Sequence, residues 1–363
     1  MNLYEKIFLF LYFILRNKKK NNIVFLSSNS KDVFGNLIPL KKELQLKGLT
    51  CYNVFGRVSN IKSAIRSAII ISKARIIIVD QANLYLKYIK YSNNIIVQVW
   101  HAAGTYKKFG MDTINPKNIQ EVQKQKNMHG YYDYVICSSE NIIKTYSRAL
   151  NINNDKVFAL GMPRITKLLE MQSQIVDIRH LIDYKSKYKS QMKKIILYCP
   201  SFREVNGKRN YEPLIDLEKF SDALPEGFCL GIRLHPRAPK KLKDSIKQLN
   251  CKRLIDLSNI SQEMALTVSD YIITDYSSII FDACCINKKI LFYIPDWISY
   301  ERGCYFRPPE SVSFYNENEL LEQFLNGSDS ELISYSKSLF SFYCSQCNKN
   351  SISNISEFII NIY

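Results

Sequence analysis

Five short segments place proton- or anion-handling side chains directly behind apolar, strand-like runs. In "IIVQVWHAAGTYKKFG" (residues 95–110), His101 follows a β-branched run and precedes a turn of small residues and two lysines. An imidazole titrates near neutrality and suits general-base work; the plainer role is a hydrogen-bonded histidine behind a strand. Ala102, Ala103 and Gly104 let something bulky approach closely, and Lys107 and Lys108 either attract an anion or coat a helix. In "LGIRLHPRAP", Arg233 and His235 alternate along the end of a run, so an extended chain points both to one face. They form either an anion clamp or an edge-strand surface pair. "LGMPR" puts Arg164 in a Gly/Pro turn, and "LYCPSFRE" puts Pro200, Ser201 and Arg203 behind another run.

The fifth segment, "SDYIITDYSSIIFD", delivers Asp275, Tyr276, Ser277 and Ser278 to the start of an apolar helix. Helix N-termini carry unpaired N–H groups and about half a positive charge. Added hydroxyls make a cradle for a diphosphate. A simple Asp/Ser cap, worth about 1 kcal/mol, would place the same residues there. Asp282 either accepts from a polyol hydroxyl or is a solvated acid favoured by the helix dipole.

These residues need strands whose carboxyl ends share one edge. Strand candidates are 23–27, 51–55, 75–79, 95–99, 134–137 and 157–160, and then 195–199, 229–234, 253–255, 271–274 and 290–294. Amphipathic segments such as 37–47, 61–72 and 141–150 alternate with them, which predicts βαβ units and parallel sheets. A Lys-rich polar stretch near 171–193 separates the two series. The expected organisation is therefore two doubly wound Rossmann-type domains, 21–180 and 190–316, facing each other, with C-terminal helices at 317–363. Ligands of such sheets bind outside the strands' carboxyl ends, where all five segments lie. No Gly-x-Gly-x-x-Gly and no Walker A loop is present, which argues against dinucleotide oxidoreductases and P-loop enzymes.

The chain has 363 residues and a formal net charge of +17, enough for two cores and an attraction to anionic partners. Its cations fall in short clusters (Lys18–Lys20, Lys185–Lys189, Lys240–Lys243) without an RNA-binding signature, so nucleic acid is not expected as a partner. Ten cysteines, several inside apolar runs, read as small buried hydrophobes in a reducing compartment. Cys344-x-x-Cys347 has no second pair at zinc-finger spacing, and no metal site is expected. At the N-terminus, the apolar run Ile7–Leu15 falls short of the roughly 20 residues that span a bilayer. Arg16 and the lysines behind it exclude a signal-peptide cleavage site. Residues 1–20 are thus expected either to lie in the interface of an anionic leaflet or to pack on the protein's own core.

Taken together, Trp100-His101, Gly161-Met162-Pro163-Arg164, Cys199-Pro200-Ser201-Phe202-Arg203, Arg233-Leu234-His235-Pro236 and Thr274-Asp275-Tyr276-Ser277-Ser278 with Asp282 resemble the CDP-glycerol glycerophosphotransferase family of teichoic-acid primases and polymerases. "FYIPDWISYERGCYF" also fits, and the resemblance runs from about residue 95 to 306. It implies an α/β, GT-B-like fold and transfer of glycerol phosphate from CDP-glycerol to a hydroxyl of a lipid-linked glycan or growing chain, releasing CMP. It implies no cofactor and no metal, and a peripheral place on the cytoplasmic face of an anionic membrane. It makes His101 the base, and Arg164, Pro200, Ser201, Arg233, His235, Ser277, Ser278 and Asp282 the donor-binding set. Trp100, Ala102 and Ala103 would line the same pocket. Many family members read Trp-His-Gly-Thr-Pro where this chain has Ala102-Ala103-Gly104-Thr105; that leaves CDP-ribitol open as the donor. A nucleotide-sugar glycosyltransferase of the same fold is the further alternative.

Overall fold

Strands buried on both faces read as continuous Val/Ile/Leu runs rather than alternating ones, and such runs here form two all-parallel sheets. The computed structural model describes residues 2–16, 20–83, 85–90, 93–174, 194–205, 208–249, 251–300 and 303–363. The expected runs at Lys18–Lys19 and Lys185–Lys189, and Glu301-Arg302 of the downstream motif, lie outside them. The chain divides into two compact units. One comprises Met1–Gly104, Lys108–Thr166 and Tyr343–Tyr363; the other comprises Thr105–Lys107 and Lys167–Phe342.

The first unit contains β1 (Asn22–Ser27), β2 (Cys51–Phe55), β3 (Ala74–Val79), β4 (Ile95–Gln98), β5 (Tyr134–Cys137) and β6 (Val157–Ala159). Their order is β2-β1-β3-β4-β5-β6, so the winding reverses between β1 and β3. Ile23 of β1 stands opposite Cys51 and Ile76. One apolar layer joins Ile23, Phe25, Ile76 and Ile78 to Leu37, Leu40 and Leu44 of the helix Leu37–Leu46, and to Ile355 and Ile359 of the terminal helix Ser351–Ile362.

The second unit contains β7 (Lys194–Cys199), an antiparallel hairpin of β8 (Arg203–Val205) and β9 (Lys208–Asn210), then β10 (Phe228–Ile232), β11 (Leu254–Asp256), β12 (Tyr271–Thr274), β13 (Lys289–Tyr293) and β14 (Ser313–Phe314). Its parallel sheet runs β11-β10-β7-β12-β13-β14 and reverses between β7 and β12. All eleven strands expected from the sequence are present, their ends displaced by at most two residues. Two features differ. The hairpin was not expected, since its charged "REV" and "KRN" carry no hydrophobic pattern. The helices after residue 317 also do not form one appendage: residues up to Phe342 belong to the second unit, and Tyr343–Tyr363 returns to the first, whose sheet the Ile355/Ile359 face covers.

The helix Leu3–Leu15 starts with a reciprocal cap in which Asn2 Oδ1 accepts from the Glu5 N–H at 2.8 Å and Glu5 Oε2 accepts from the Asn2 N–H at 2.9 Å. Phe8, Leu9 and Tyr12 are buried and the Tyr12 hydroxyl donates to the Ile89 carbonyl, while Leu3, Phe10, Phe13 and Ile14 stay exposed. One face thus packs on the protein and the other does not. Among the described residues, no helix is long and apolar enough to cross a membrane.

Candidate functional site

In the first unit the site grows from a strained turn. Gln98 ends β4, and Trp100 follows in the left-handed region at φ 55°, where a bulky side chain is disfavoured. Two side chains hold it there. Gln98 Oε1 accepts from the Trp100 N–H at 2.8 Å, and Asn36 Nδ2 donates to the Trp100 carbonyl at 3.1 Å. The Trp100 indole packs among Phe109, Tyr146 and His129. Trp100, Ala102 and Ala103, expected to line a pocket, are buried, with the Tyr146 hydroxyl on the Ala102 carbonyl. In this structure they fix the turn from beneath.

What the turn presents is His101, half-buried between Trp100 and Phe34. His101 Nδ1 lies 3.3 Å from the Asp80 carbonyl oxygen. A carbonyl only accepts, so the neutral ring carries its proton at Nδ1 and its basic lone pair at Nε2. Arg164, expected to grip the donor, is buried: Nη1 donates to the His101 carbonyl at 2.6 Å and the Arg164 N–H donates to Asn36 Oδ1 at 3.1 Å. Asn36 therefore ties the His101 turn to the turn before the helix Pro163–Ser173.

In the second unit the loops after β7 and β12 flank the winding reversal, where doubly wound sheets bind ligands. Asp275 joins them. Its carboxylate, 2 % exposed, accepts from the Ser201 N–H at 3.0 and 3.1 Å, from its neighbour Tyr276 N–H at 2.6 Å, and from Arg203 Nη1 at 2.7 Å. Arg203 also forks onto Asp296 at 2.5 and 3.1 Å and lies over the Tyr276 ring, which stacks on Tyr300 with centroids 3.6 Å apart. Pro200 is buried and Ser201 half-buried, so this tie fixes where the Ser201 side chain stands.

Ser277 and Ser278 are both partly exposed, before the helix Ile279–Cys285. Ser278 occupies the N-cap position in a helical conformation and its hydroxyl makes no capping bond, whereas Ser277 Oγ accepts from the Ile279 N–H at 3.3 Å. Capping thus explains Ser277 in part and leaves Ser278 unexplained. Asp282 is not a solvated acid: it is 1 % exposed and accepts from Gln262 Nε2 at 2.6 Å. Every residue of this helix is buried.

Strand β10 ends at Ile232, so Arg233 and His235 sit in the loop beyond it. Arg233 Nη1 donates to the carbonyls of Leu257 and Ile260 at 2.9 and 2.6 Å, and burial pulls its pKa down. His235 Nδ1 accepts from the Arg237 N–H at 3.1 Å, which places the neutral ring's proton on Nε2. Burial, and then the cations Arg237, Lys107, Arg209 and Lys243, push its pKa down to about 4. It is therefore a neutral donor at pH 7, set in a positive field. Phe202 and Tyr211 flank its ring, and Arg209 and Lys107 lie over Phe202.

Several residues that build these turns escaped the sequence reading. Asp296, Asn36 and Gln98 act through contacts that spacing does not reveal. Asp80 did carry a signal, since it ends the run "ARIIIVD" as Asp275 ends its own.

Both switch points thus carry polar groups suited to proton transfer or anion binding, on an α/β, GT-B-like fold. Solved structures share that fold: the wall teichoic acid polymerase TagF matches over 98% of this chain and 92% of its own at 19% identity and a TM-score of 0.79. The UDP-GlcNAc 2-epimerase from Neisseria meningitidis bound to UDP-GlcNAc matches more loosely, at 12% identity and a TM-score of 0.58 over 94% of this chain and 100% of that one. The chain belongs to the CDP-Glycerol:Poly(glycerophosphate) glycerophosphotransferase family, whose model matches residues 7–361. It is similar to the teichoic acid glycerol-phosphate primases of Bacillus subtilis (29% identical, covering 66% of this chain and 60% of the relative) and Staphylococcus aureus (29%, covering 69% and 65%). It therefore spans less than two thirds of those relatives' length. It is also similar to a teichoic acid poly(ribitol-phosphate) polymerase of Bacillus spizizenii (28%, covering 78% and 46%).

Proposed function

We propose that the chain transfers glycerol phosphate from CDP-glycerol to a hydroxyl of a lipid-linked glycan or growing poly(alditol phosphate) chain, in teichoic-acid-like or capsular polymer synthesis. The acceptor oxygen attacks the distal phosphorus while His101 Nε2 takes its proton; the bond to the bridging oxygen breaks and CMP leaves with that oxygen and its charge. The second unit binds the CDP donor. Neutral His235 donates from Nε2, Ser201, Ser277 and Ser278 offer hydroxyls, and the cations around His235 offset phosphate charge. Arg164, Arg233, Pro200 and Asp282 shape this machinery from buried or half-buried positions, and Trp100, Ala102 and Ala103 hold the base.

The observation that carries this is the Asp275 tie across the second switch point, which sets the Ser201 turn beside the Ser277–Ser278 turn where a diphosphate would sit. CDP-ribitol is the second donor, favoured by the Ala102-Ala103 turn and by similarity to ribitol-phosphate polymerases. The lipid side is supported by a composite face in the first unit. Leu3, Phe10, Phe13 and Ile14 are exposed on one helix, as are Ile61, Ile65 and Ile69 on the helix Ile61–Ser72 that packs against it. Lys6, Lys62, Arg66 and Lys73 are exposed on the same helices and their ends, and Glu5, their one acid, is buried. Such a face fits the cytoplasmic leaflet of an anionic membrane.

The test is incubation with CDP-glycerol or CDP-ribitol and a lipid-linked acceptor, scoring CMP. His101→Ala should lower turnover by about 10²–10⁴ while leaving donor affinity intact. Absence of CMP with both donors sinks the proposal, and a fully active His101→Ala sinks the base.

A further inference from the structure

At the reversal between β1 and β3, directly behind His101, lies a carboxylate that the mechanism above does not use. Asp80 immediately follows β3 and is 0 % exposed, and among the described residues neither carboxylate oxygen closes a well-formed hydrogen bond, the Ser27 hydroxyl lying near them. Sealing an unpartnered carboxyl group costs several kcal/mol, so such groups survive chiefly where they serve a purpose. Its own carbonyl oxygen accepts the hydrogen bond from His101 Nδ1–H. Covalent geometry keeps the carboxylate within roughly 5 Å of that carbonyl.

We infer that Asp80 is the positioning residue of His101, its buried negative charge raising the basicity of the imidazole and stabilising the imidazolium that forms when Nε2 takes the acceptor's proton. This rests on the function proposed above. Asp80 neither gives nor takes a proton in the step. The proton passes from the acceptor hydroxyl to Nε2, and Nδ1–H stays on the Asp80 carbonyl. Among the described residues, Ser27 and Asp32 act on its charge. Ser27 from β1 supplies a nearby hydroxyl that eases the charge, and Asp32, in the turn before the helix Leu37–Leu46, opposes it. On the His101 side, the Arg164 guanidinium sits on the His101 carbonyl. Burial first, and Asp32 second, hold the Asp80 carboxyl up to about 7, so it ionises across the range in which His101 must act.

The experiment is proton NMR titration of the His101 ring in the full chain, its resonance assigned by loss in His101→Ala. In Asp80→Asn the His101 midpoint should fall by about one pH unit, a tenfold loss of basicity. kcat should fall about as far, with the acid limb of kcat moving down and the donor KM unchanged. Ser27→Ala, a milder change, should move that limb upward, because Asp80 then ionises at higher pH. An unmoved His101 midpoint in Asp80→Asn overturns the inference, as does a fallen kcat with an unmoved limb. If Asp80→Asn fails to fold, an unmoved limb in Ser27→Ala overturns it. The titration needs no donor, so it decides the Asp80–His101 coupling even if neither CDP-alditol turns over.

Discussion

Asp275→Asn tests the second unit most sharply. The two oxygens of Asp275 accept four hydrogen-bond contacts from three groups, the Ser201 N–H, the Tyr276 N–H and Arg203 Nη1, and an amide cannot reproduce them. Whichever way Asn is turned, its NH2 meets at least one donor head-on. The variant also removes a charge from an ion pair whose side chains are 3% and 15% exposed. Breaking such a buried pair ordinarily costs about 3–5 kcal/mol. Arg203 keeps its fork onto Asp296, so we expect less than that, about 2–3 kcal/mol. For a unit of this size that is a fall in Tm of about 4–12 °C. Freeing Ser201 should also weaken donor binding by about tenfold or more, since 1.4 kcal/mol is one decade. Calorimetric unfolding of the full chain and titration with CDP-glycerol measure the two effects. Combining the variant with Arg203→Met should show strong non-additivity, because the uncompensated guanidinium disappears. A stability within about 0.5 kcal/mol of the parent, with unchanged donor affinity, refutes the reasoning.

Other expectations follow from the same geometry. Gly161 sits at φ 93°, and a Cβ there would stand 2.3 Å from Ser351 Oγ and 2.5 Å from the Gln346 carbonyl; Gly161→Ala should cost more than about 2 kcal/mol in denaturant unfolding. Replacing exposed Phe10 and Ile14 by Ser, with Phe8 and Tyr12 kept, should cut co-sedimentation with anionic vesicles by more than about tenfold without lowering Tm. Unchanged partition would remove the membrane face. His129 is buried against Trp100 and held at about 4, below its ordinary 6.5. The unfolded chain therefore binds the extra proton between these values, and stability is lost as pH falls from about 6.5 toward 4. The loss at pH 5 is about 2 kcal/mol relative to pH 7. His129→Gln should flatten that slope, read from urea unfolding at both pH values; an identical slope would show that other groups set it.

The sequence alone determined a good deal. Parallel strands buried on both faces must be apolar throughout, so inner strands such as β1, β7 and β12 were legible as apolar runs, whereas the edge strands β2 and β11 are only partly buried. Because a doubly wound sheet presents ligands at its carboxyl ends, His101, Ser201, Arg233, His235 and Ser277 could be singled out by position. What each side chain does there was decided only by tertiary structure, since burial and partnership depend on residues far apart in the chain. Asp275 meets Arg203 across 72 positions and Arg164 meets His101 across 63. Local pattern cannot show that Asp282 is sealed, that Trp100 is strained into the left-handed region, or that the final helix returns to cover the first sheet. The physical reason is one of range. Hydrophobic periodicity is a local property of the chain, whereas desolvation and hydrogen-bond partnership are set by whichever distant segments the packed core brings alongside.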